Sequence, residues 1–260
     1  MRVITVRECE STNTTLREML SGKEWYPNGT ALRAISQTHG RGQRGNHWES
    51  DPGMNITMSI VLRPGPVGAH NHFLVSEAIA VGTVRFLENY DIAQNHDIAI
   101  KWPNDILVDN RKIAGILLEN TLGATGDLLY CVAGIGLNVN QTLFSDAAPN
   151  AVSMSELTGC YYDLDELACS LVDSVVAAVD RIAPQLMIKN HHDLECIEVE
   201  EDYMNLLWRK SGLHKWRDAH TGEVFEANVL KVAPNGCINL MPKGDATVRE
   251  YYFKEVFPVD

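Results

Sequence analysis

The stretch Ile98-Ala99-Ile100-Lys101-Trp102-Pro103-Asn104-Asp105-Ile106-Leu107-Val108-Asp109-Asn110-Arg111-Lys112-Ile113-Ala114-Gly115-Ile116-Leu117-Leu118-Glu119 decides the architecture of this 260-residue chain. Three apolar runs, 98–102, 106–108 and 112–119, follow one another with only a few residues between them. Short runs of this kind, bounded by turn residues, predict strands. Asp109-Asn110 lies between the last two and favours a tight hairpin turn.

Working outward, 128–137 reads as a further apolar strand, and 2–7, 30–37 and 54–62 as strands from their alternation. Helices are expected at 15–20 and 71–88, along the apolar face of Leu164, Leu167, Ala168, Leu171, Val175, Val179 and Ile182, and at 194–210. Strands that neighbour one another, rather than alternating strictly with helices, favour α+β over a doubly wound sheet. The expected body is a mixed or antiparallel sheet with packed helices. Past Ser211-Gly212 the pattern changes to short strands at 224–231, 237–241 and 247–252, with Asn235-Gly236 as a hairpin signal. That suggests a small β-barrel, and hence two domains, 1–211 and 212–260.

The formal net charge of −12 argues against non-specific nucleic-acid binding, which needs a broad basic surface. No apolar run approaches the ~20 residues of a membrane helix. The N-terminus lacks the pattern of a secretory signal. The six cysteines are scattered without a CxxC pair, which fits reduced thiols and a cytoplasmic protein.

Chemistry concentrates in a few segments. His39-Gly40-Arg41-Gly42-Gln43-Arg44-Gly45-Asn46-His47-Trp48 interleaves glycines with arginines and has no apolar period. It reads as a loop that folds over an anion. Ser11-Thr12-Asn13 is a helix N-cap on the bland reading and a polar-ligand segment on the other. In Lys101-Trp102-Pro103-Asn104-Asp105 the Asn-Asp pair could be turn chemistry, or Asp105 could hold magnesium and Asn104 a ribose or phosphate. Lys112 either snorkels from a hairpin or enters a site, with Gly115 admitting a ligand to the strand. Gly134-Ile135-Gly136-Leu137-Asn138 lacks the third glycine and the helix of a dinucleotide fingerprint, so that assignment fails. Its glycines could still admit a flat ring, and Asn138 could meet a base or sugar.

Taken together, the segments GRGQRGNxW, KWPNDI, KIAGILLE and GIGLNVN resemble the catalytic domain of biotin protein ligases, from Ser11 through the C-terminal strands. The resemblance implies an α+β domain of the class II synthetase-like type shared with lipoate ligases, followed by an SH3-like barrel. It implies two steps: biotin and ATP give biotinyl-5′-AMP, and the acyl group passes to a lysine of a biotin carboxyl carrier domain. It assigns Arg41, Lys112 and Asp105 to catalysis, with magnesium at Asp105. Biotin would meet Ser11, Thr12, Asn13, Gln37, Gly40, Arg41, Gly42, Gln43, Lys112 and Gly115. ATP would meet Arg44, Trp48, Lys101, Asn104 and Asn138. The glycine-arginine loop would close over the reactive adenylate.

Some bacterial members carry an N-terminal winged-helix domain and act as repressors. This chain opens at the first catalytic strand, so a ligase alone is expected, without nucleic acid or membrane partners. The resemblance allows a monomer or a homodimer. Two rivals stand beside it. A lipoate–protein ligase shares the fold and chemistry, but its arginine-glycine run differs. A non-catalytic biotin or nucleotide sensor would be expected to lack the charged residues, which are present here.

Overall fold

The computed structural model describes residues 2–65, 67–68, 71–124, 126–146, 148–188 and 198–259. Its main sheet contains β1 (Val3–Cys9), β2 (Ala31–Gln37), β3 (Ile56–Leu62), β4 (Ile98–Lys101), β5 (Asp105–Val108), β6 (Arg111–Leu122) and β7 (Leu128–Leu137). The order across the sheet is β1-β2-β3-β7-β6-β5-β4. Only β1 and β2 run parallel, and the helix α1 (Thr12–Ser21) connects them. The other neighbours are antiparallel, as adjacent strands with short loops require. At the β5–β6 turn, Asp109 and Asn110 have φ of 49° and 65°. Both left-handed positions of a two-residue hairpin are thus filled by residue types that tolerate them.

Helices cover both faces, with the short α3 (Ile92–Asn95), α4 (Met154–Thr158) and α6 (Ile182–Ile188) between the elements named below. On one, α2 (Phe73–Glu88) and α5 (Leu164–Asp180) pack over the sheet in a single large apolar core. Helix α2 is buried on nearly every side because α5 and α7 (Glu198–Asn205) enclose it. On the other face α1 sets Leu16 against Leu32, Val61 and Val132. Strand β3 lies between the two layers, so all seven of its residues are buried and the expected alternation of exposure is not seen. Beyond α1, this second face carries the candidate site.

The helix expected over 194–210 is observed as α7 only to Asn205; residues 194–197, and His191, His192 and Asp193 with them, lie outside the described residues. Leu206 and Trp208 lie in turns instead, and Leu207 forms an isolated parallel bridge with Ile100. Ile100 donates its N–H to the Leu206 carbonyl at 2.8 Å, and Trp208 donates to the Ile100 carbonyl at 2.8 Å. The free edge of β4 takes this segment as a partner, and edge pairing outweighs helical propensity.

The C-terminal residues form a second sheet of β8 (His214–Asp218), β9 (Val224–Val232), β10 (Ile238–Pro242), β11 (Arg249–Tyr251) and β12 (Val256–Val259), in the order β11-β10-β9-β8-β12. It is antiparallel throughout. Its edges are β11 and β12, and among the described residues no ladder joins them. Where a small barrel is expected, the structure forms a separate five-stranded antiparallel sheet. Strands β8 and β12 escaped the sequence pattern, β8 because His214-Lys215-Trp216-Arg217-Asp218 offers one apolar residue in five. Trp216, Phe225, Ile238 and Leu240 belong to the same core as α2 and the main sheet. Trp102 donates its indole N–H to the Gly236 carbonyl at 3.0 Å. Among the described residues the cysteines are free thiols, and burial pushes Cys131 up to about 12.

Candidate active site

The site is built where side chains are missing. Gly134 and Gly136 are two apart in β7 and share a face. Gly115 of β6 is the cross-strand partner of Gly136. The three leave a hollow one side chain deep in the sheet surface. A Cβ at Gly134 would stand 2.4 Å from Asn13 Oδ1, and one at Gly136 would stand 2.3 Å from the Trp48 ring. Asn13 therefore fills one end of the hollow and the Trp48 indole the other.

The start of α1 supplies Ser11, Thr12 and Asn13, all buried. Ser11 holds the N-cap backbone position, but its side chain makes no capping hydrogen bond. The bland capping role is thus absent, and Ser11 lines the pocket. Asn13 donates to Glu119 Oε2 at 2.9 Å and to the Leu117 carbonyl at 3.2 Å. Ser59 Oγ lies 2.5 Å from Asn13 Oδ1 and 2.7 Å from Thr12 Oγ1. A hydroxyl has one proton and an amide oxygen only accepts. Ser59 therefore donates to Asn13, and Thr12 donates to Ser59. That order leaves Thr12 Oγ1 with only acceptor capacity toward the pocket. Gln37 accepts from the Thr12 N–H at 2.8 Å, which orients its amide nitrogen as a remaining donor.

Residues 40–48 fold back as a small hairpin. Gly42 donates to the Asn46 carbonyl at 2.7 Å and Trp48 to the Gly40 carbonyl at 3.0 Å. Gln43–Gly45 form a single 3-10 turn, with Gly45 at φ 85°, a position suited to glycine. Arg44 stands in that turn. Arg41 lies 3.4 Å from Glu119 Oε1 and 3.3 Å from Thr14 Oγ1. The indole N–H of Trp48 is buried and, among the described residues, has no hydrogen-bond partner. Buried polar groups are normally paired, so this donor is open to a ligand. The free space amid these residues is about 90 Å³. Ligand pockets usually offer ~300–1,000 Å³, so a ligand must displace Trp48 or the loop that carries it.

Lys112 and Asp105 form the charged wall, with Lys112 Nζ 2.7 Å from Asp105 Oδ1 and over the Trp48 ring at 5.7 Å. Asp105 is the carboxylate that lines this pocket, and it is already engaged. Among the described residues no three His, Cys, Asp or Glu side chains lie together. Asp105, held by Lys112, is the carboxylate this pocket would offer a magnesium ion, and no step is drawn through one.

Several predicted ligand residues are occupied otherwise. Asn104 lines the pocket, but its amide donates to the Ile116 carbonyl and ties β5 to β6. Asn138 donates to the carbonyls of Val152 at 3.1 Å and Lys112 at 3.4 Å. It lies with Trp48, Lys112 and Phe144 in an adjoining cavity. Lys101 and Gly40 stand outside the central pocket. Lys101 lies 5.7 Å from the Trp208 ring in a neighbouring cleft. The pocket gathers Ser11, Thr12, Asn13, Gln37, Arg41, Gly42, Gln43, Trp48, Asn104, Asp105, Lys112 and Gly115.

The pocket also holds residues that were not predicted, His47 and Phe253 among them, and a further one stands behind it. Glu119 holds Asn13, Arg17 and Arg41 together. It was visible in the motif, but a strand-end glutamate carries no local signal of its partners. His47 lines the pocket beside Arg41. Phe253 reaches it from the C-terminal sheet and meets Trp102 edge-on at 5.9 Å. Only tertiary packing brings it there.

The sequence profile of the biotin/lipoate A/B protein ligase family matches residues 6–138, half of the chain. The chain belongs to this family. The family segment holds the start of α1, the glycine-arginine loop, Lys112 and all three glycines of the hollow. Among curated relatives, the bifunctional ligase/repressor BirA of Bacillus spizizenii is 33% identical over 213 residues, 78% of this chain and 57% of that protein. The biotin–[acetyl-CoA-carboxylase] ligase of Paracoccus denitrificans is 36% identical over 135 residues, 50% of this chain and 51% of that protein. The chain thus spans little more than half the length of these relatives. A solved structure of the Aquifex aeolicus biotin protein ligase with biotin and ATP superposes with a TM-score of 0.72 at 20% identity. It covers 99% of this chain and 98% of that one, so the ligase family's fold extends through the C-terminal sheet.

Proposed function

We propose that this family member is an ATP-dependent biotin–protein ligase. It forms biotinyl-5′-AMP from biotin and ATP and then transfers the acyl group to a lysine of a biotin carboxyl carrier domain. The relatives named above as ligases support the reaction class. The observation that carries the choice of biotin is the hydrogen-bond order at the end of the hollow. Thr12 Oγ1 is left to accept, and Gln37 keeps an amide donor. A ureido ring has N–H donors and a carbonyl acceptor that answer both. The dithiolane of lipoate has neither.

The first step needs no base, because a carboxylate is already ionised at neutral pH. It needs relief of repulsion between that carboxylate and an anionic α-phosphate. Lys112 at the mouth of the hollow supplies it, with Asp105 fixing its ammonium. Arg41 adds a second cation once the ligand draws it from Glu119. The adenylate is a mixed anhydride open to hydrolysis. Residues 40–48 cover it, with the Trp48 N–H offered to the ligand as Trp48 leaves the glycine hollow. Asn138 and the cavity it shares with Phe144 lie where the adenine would be received.

The carrier domain, a cytoplasmic location and a monomeric or dimeric state belong to this proposal. No helix among the described residues is long and apolar enough to cross a membrane. Pyrophosphate–ATP exchange tests the reading, run once with biotin and once with lipoate. Exchange with biotin, followed by labelling of one carrier lysine, is expected. Exchange with lipoate alone, or ligand binding without exchange, would replace the proposal by one of its rivals.

A further inference from the structure

His47 stands where three spaces meet. It lines the central pocket, the adjoining cavity of Asn138 and Phe144, and a cleft outside the loop bordered by His39, Glu49 and Asp51. Lys112 and Trp48 also line the first two. The acyl–phosphate bond of biotinyl-5′-AMP joins the occupant of one to the occupant of the other, so it lies at that junction. His47 pairs with Arg41 in an isolated antiparallel bridge, which sends the two side chains to one face of the loop. His47 is exposed, so its ring also meets solvent.

The first step has no use for a base, but the second does. A lysine ordinarily titrates at ~10.4, so the carrier lysine arrives as an ammonium, which is no nucleophile. The ionisable side chains lining the central pocket are Arg41, His47, Asp105 and Lys112. Arg41 and Lys112 are cations, and Asp105 is held by Lys112 at 2.7 Å. On the outer side, Glu49 accepts from Ser145, and His39 Nδ1 lies 3.1 Å from Thr38 Oγ1. Among the described residues no hydrogen bond or ion pair engages the His47 ring. Imidazole is the side chain whose charge ordinarily changes between pH 5 and 8, as a proton shuttle at neutral pH requires.

Resting on the ligase reading, we infer that His47 is the base of the second step, a catalytic residue that takes the protons of the carrier lysine. It accepts one from the ammonium and passes it to water, which its exposure permits. The free amine then attacks the acyl carbon of the adenylate. The C–N bond forms, the bond from the acyl carbon to the phosphate oxygen breaks, and the electron pair leaves on AMP. His47 takes the second N–H proton as the amide forms. Two protons are released per transfer, and AMP leaves as a dianion.

The test compares two rates in the wild type, His47→Gln and His47→Ala. Biotin-dependent pyrophosphate exchange reports the first step, and single-turnover transfer from preformed biotinyl-5′-AMP to a carrier domain reports the second. Thermal unfolding verifies that each variant folds. Transfer at neutral pH is expected to fall about 10²- to 10³-fold, the scale of a lost general base, and exchange by less than about fivefold. The deficit in transfer should shrink as pH rises toward ~10, where the lysine sheds its proton unaided. Added imidazole should restore transfer in His47→Ala. Transfer at the wild-type rate in both variants overturns the inference. So does an equal loss of exchange and transfer, which would make His47 a support of the loop, or a loss that saturating carrier domain abolishes, which would make it a docking contact. Wild type without biotin-dependent exchange counts against the ligase reading, whereas imidazole-rescued transfer from supplied adenylate would still support His47 as the base.

Discussion

Lys112 and Asp105, 2.7 Å apart at their charged ends, share a face only because β6 carries one extra residue. Ile106 pairs with Ala114 and Leu107 with Lys112, so Ile113 has no partner of its own on β5. In regular alternation Ile113 would share the face of Gly115. The bulge buries Ile113 in the core and brings Lys112 to the site face, with its Nζ 3.2 Å from where a Cβ of Gly115 would stand.

The first prediction concerns this pair. Lys112→Ala is expected to reduce biotin-dependent pyrophosphate exchange about 10²- to 10³-fold, the scale on which removal of one preorganised transition-state contact acts. Asp105→Asn retains a hydrogen-bonding partner but no charge, and about a tenfold loss is expected. Circular dichroism should show both variants folded, since neither residue is in the core. Exchange at the wild-type rate in Lys112→Ala would remove the lysine from the chemistry.

The second concerns Trp48. Gly136→Ala puts a methyl 2.3 Å from the indole, so the ring must leave its seat in the hollow. The variant should show red-shifted tryptophan emission without ligand. Wild type should shift the same way when biotin enters, and Trp48→Phe should lose most of that response. An emission change that survives in Trp48→Phe would place the moving tryptophan elsewhere.

Much of this was legible in sequence because the decisive signals were local. Asp109-Asn110 set the β5–β6 hairpin, and the apolar runs around it gave sheet order at that edge. The glycines at 134 and 136 announced room for a flat ring. That the ring is the protein's own Trp48 is a tertiary fact. So are the engagement of Arg41 and Asn13 by Glu119, and the arrival of Phe253 from the far sheet. The Ile113 bulge leaves no mark in composition. The segment 206–208 went to the β4 edge because that edge was free, which no local propensity records.

The third prediction tests Glu119 as an anchor. Its carboxylate accepts from Asn13 at 2.9 Å and from Arg17 at 3.0 Å, and meets Arg41 at 3.4 Å. The Arg17 pair is exposed and worth little. Asn13 is buried, so Glu119→Ala should lower unfolding stability by about 1–3 kcal/mol through the weakened pairing of its amide. It should also raise KM for biotin, because Asn13 holds the order in which Ser59 and Thr12 donate. Asn13→Ala combined with Glu119→Ala is expected to cost much less than the sum of the single changes. Strict additivity in denaturant melts would show that the two residues act apart.

Glu77 gives the fourth. It is buried in α2, and burial, with the charge of Glu200 second, raises its carboxyl well above the usual value of 4.5. The same enclosure raises Tyr203, whose hydroxyl donates to the Pro103 carbonyl at 2.9 Å and braces the turn before Asp105. A carboxyl raised in the folded state holds its proton there after the unfolded chain has lost it. Stability from this group is therefore full below about pH 4.5 and falls as pH rises through the folded value. Glu77→Gln keeps the shape and removes the titration. Its melting temperature should match wild type in acid and exceed it increasingly toward alkaline pH, until wild-type Glu77 is ionised. Parallel melting curves for the two proteins across pH 4 to 9 would mean that Glu77 keeps an ordinary ionisation despite its burial.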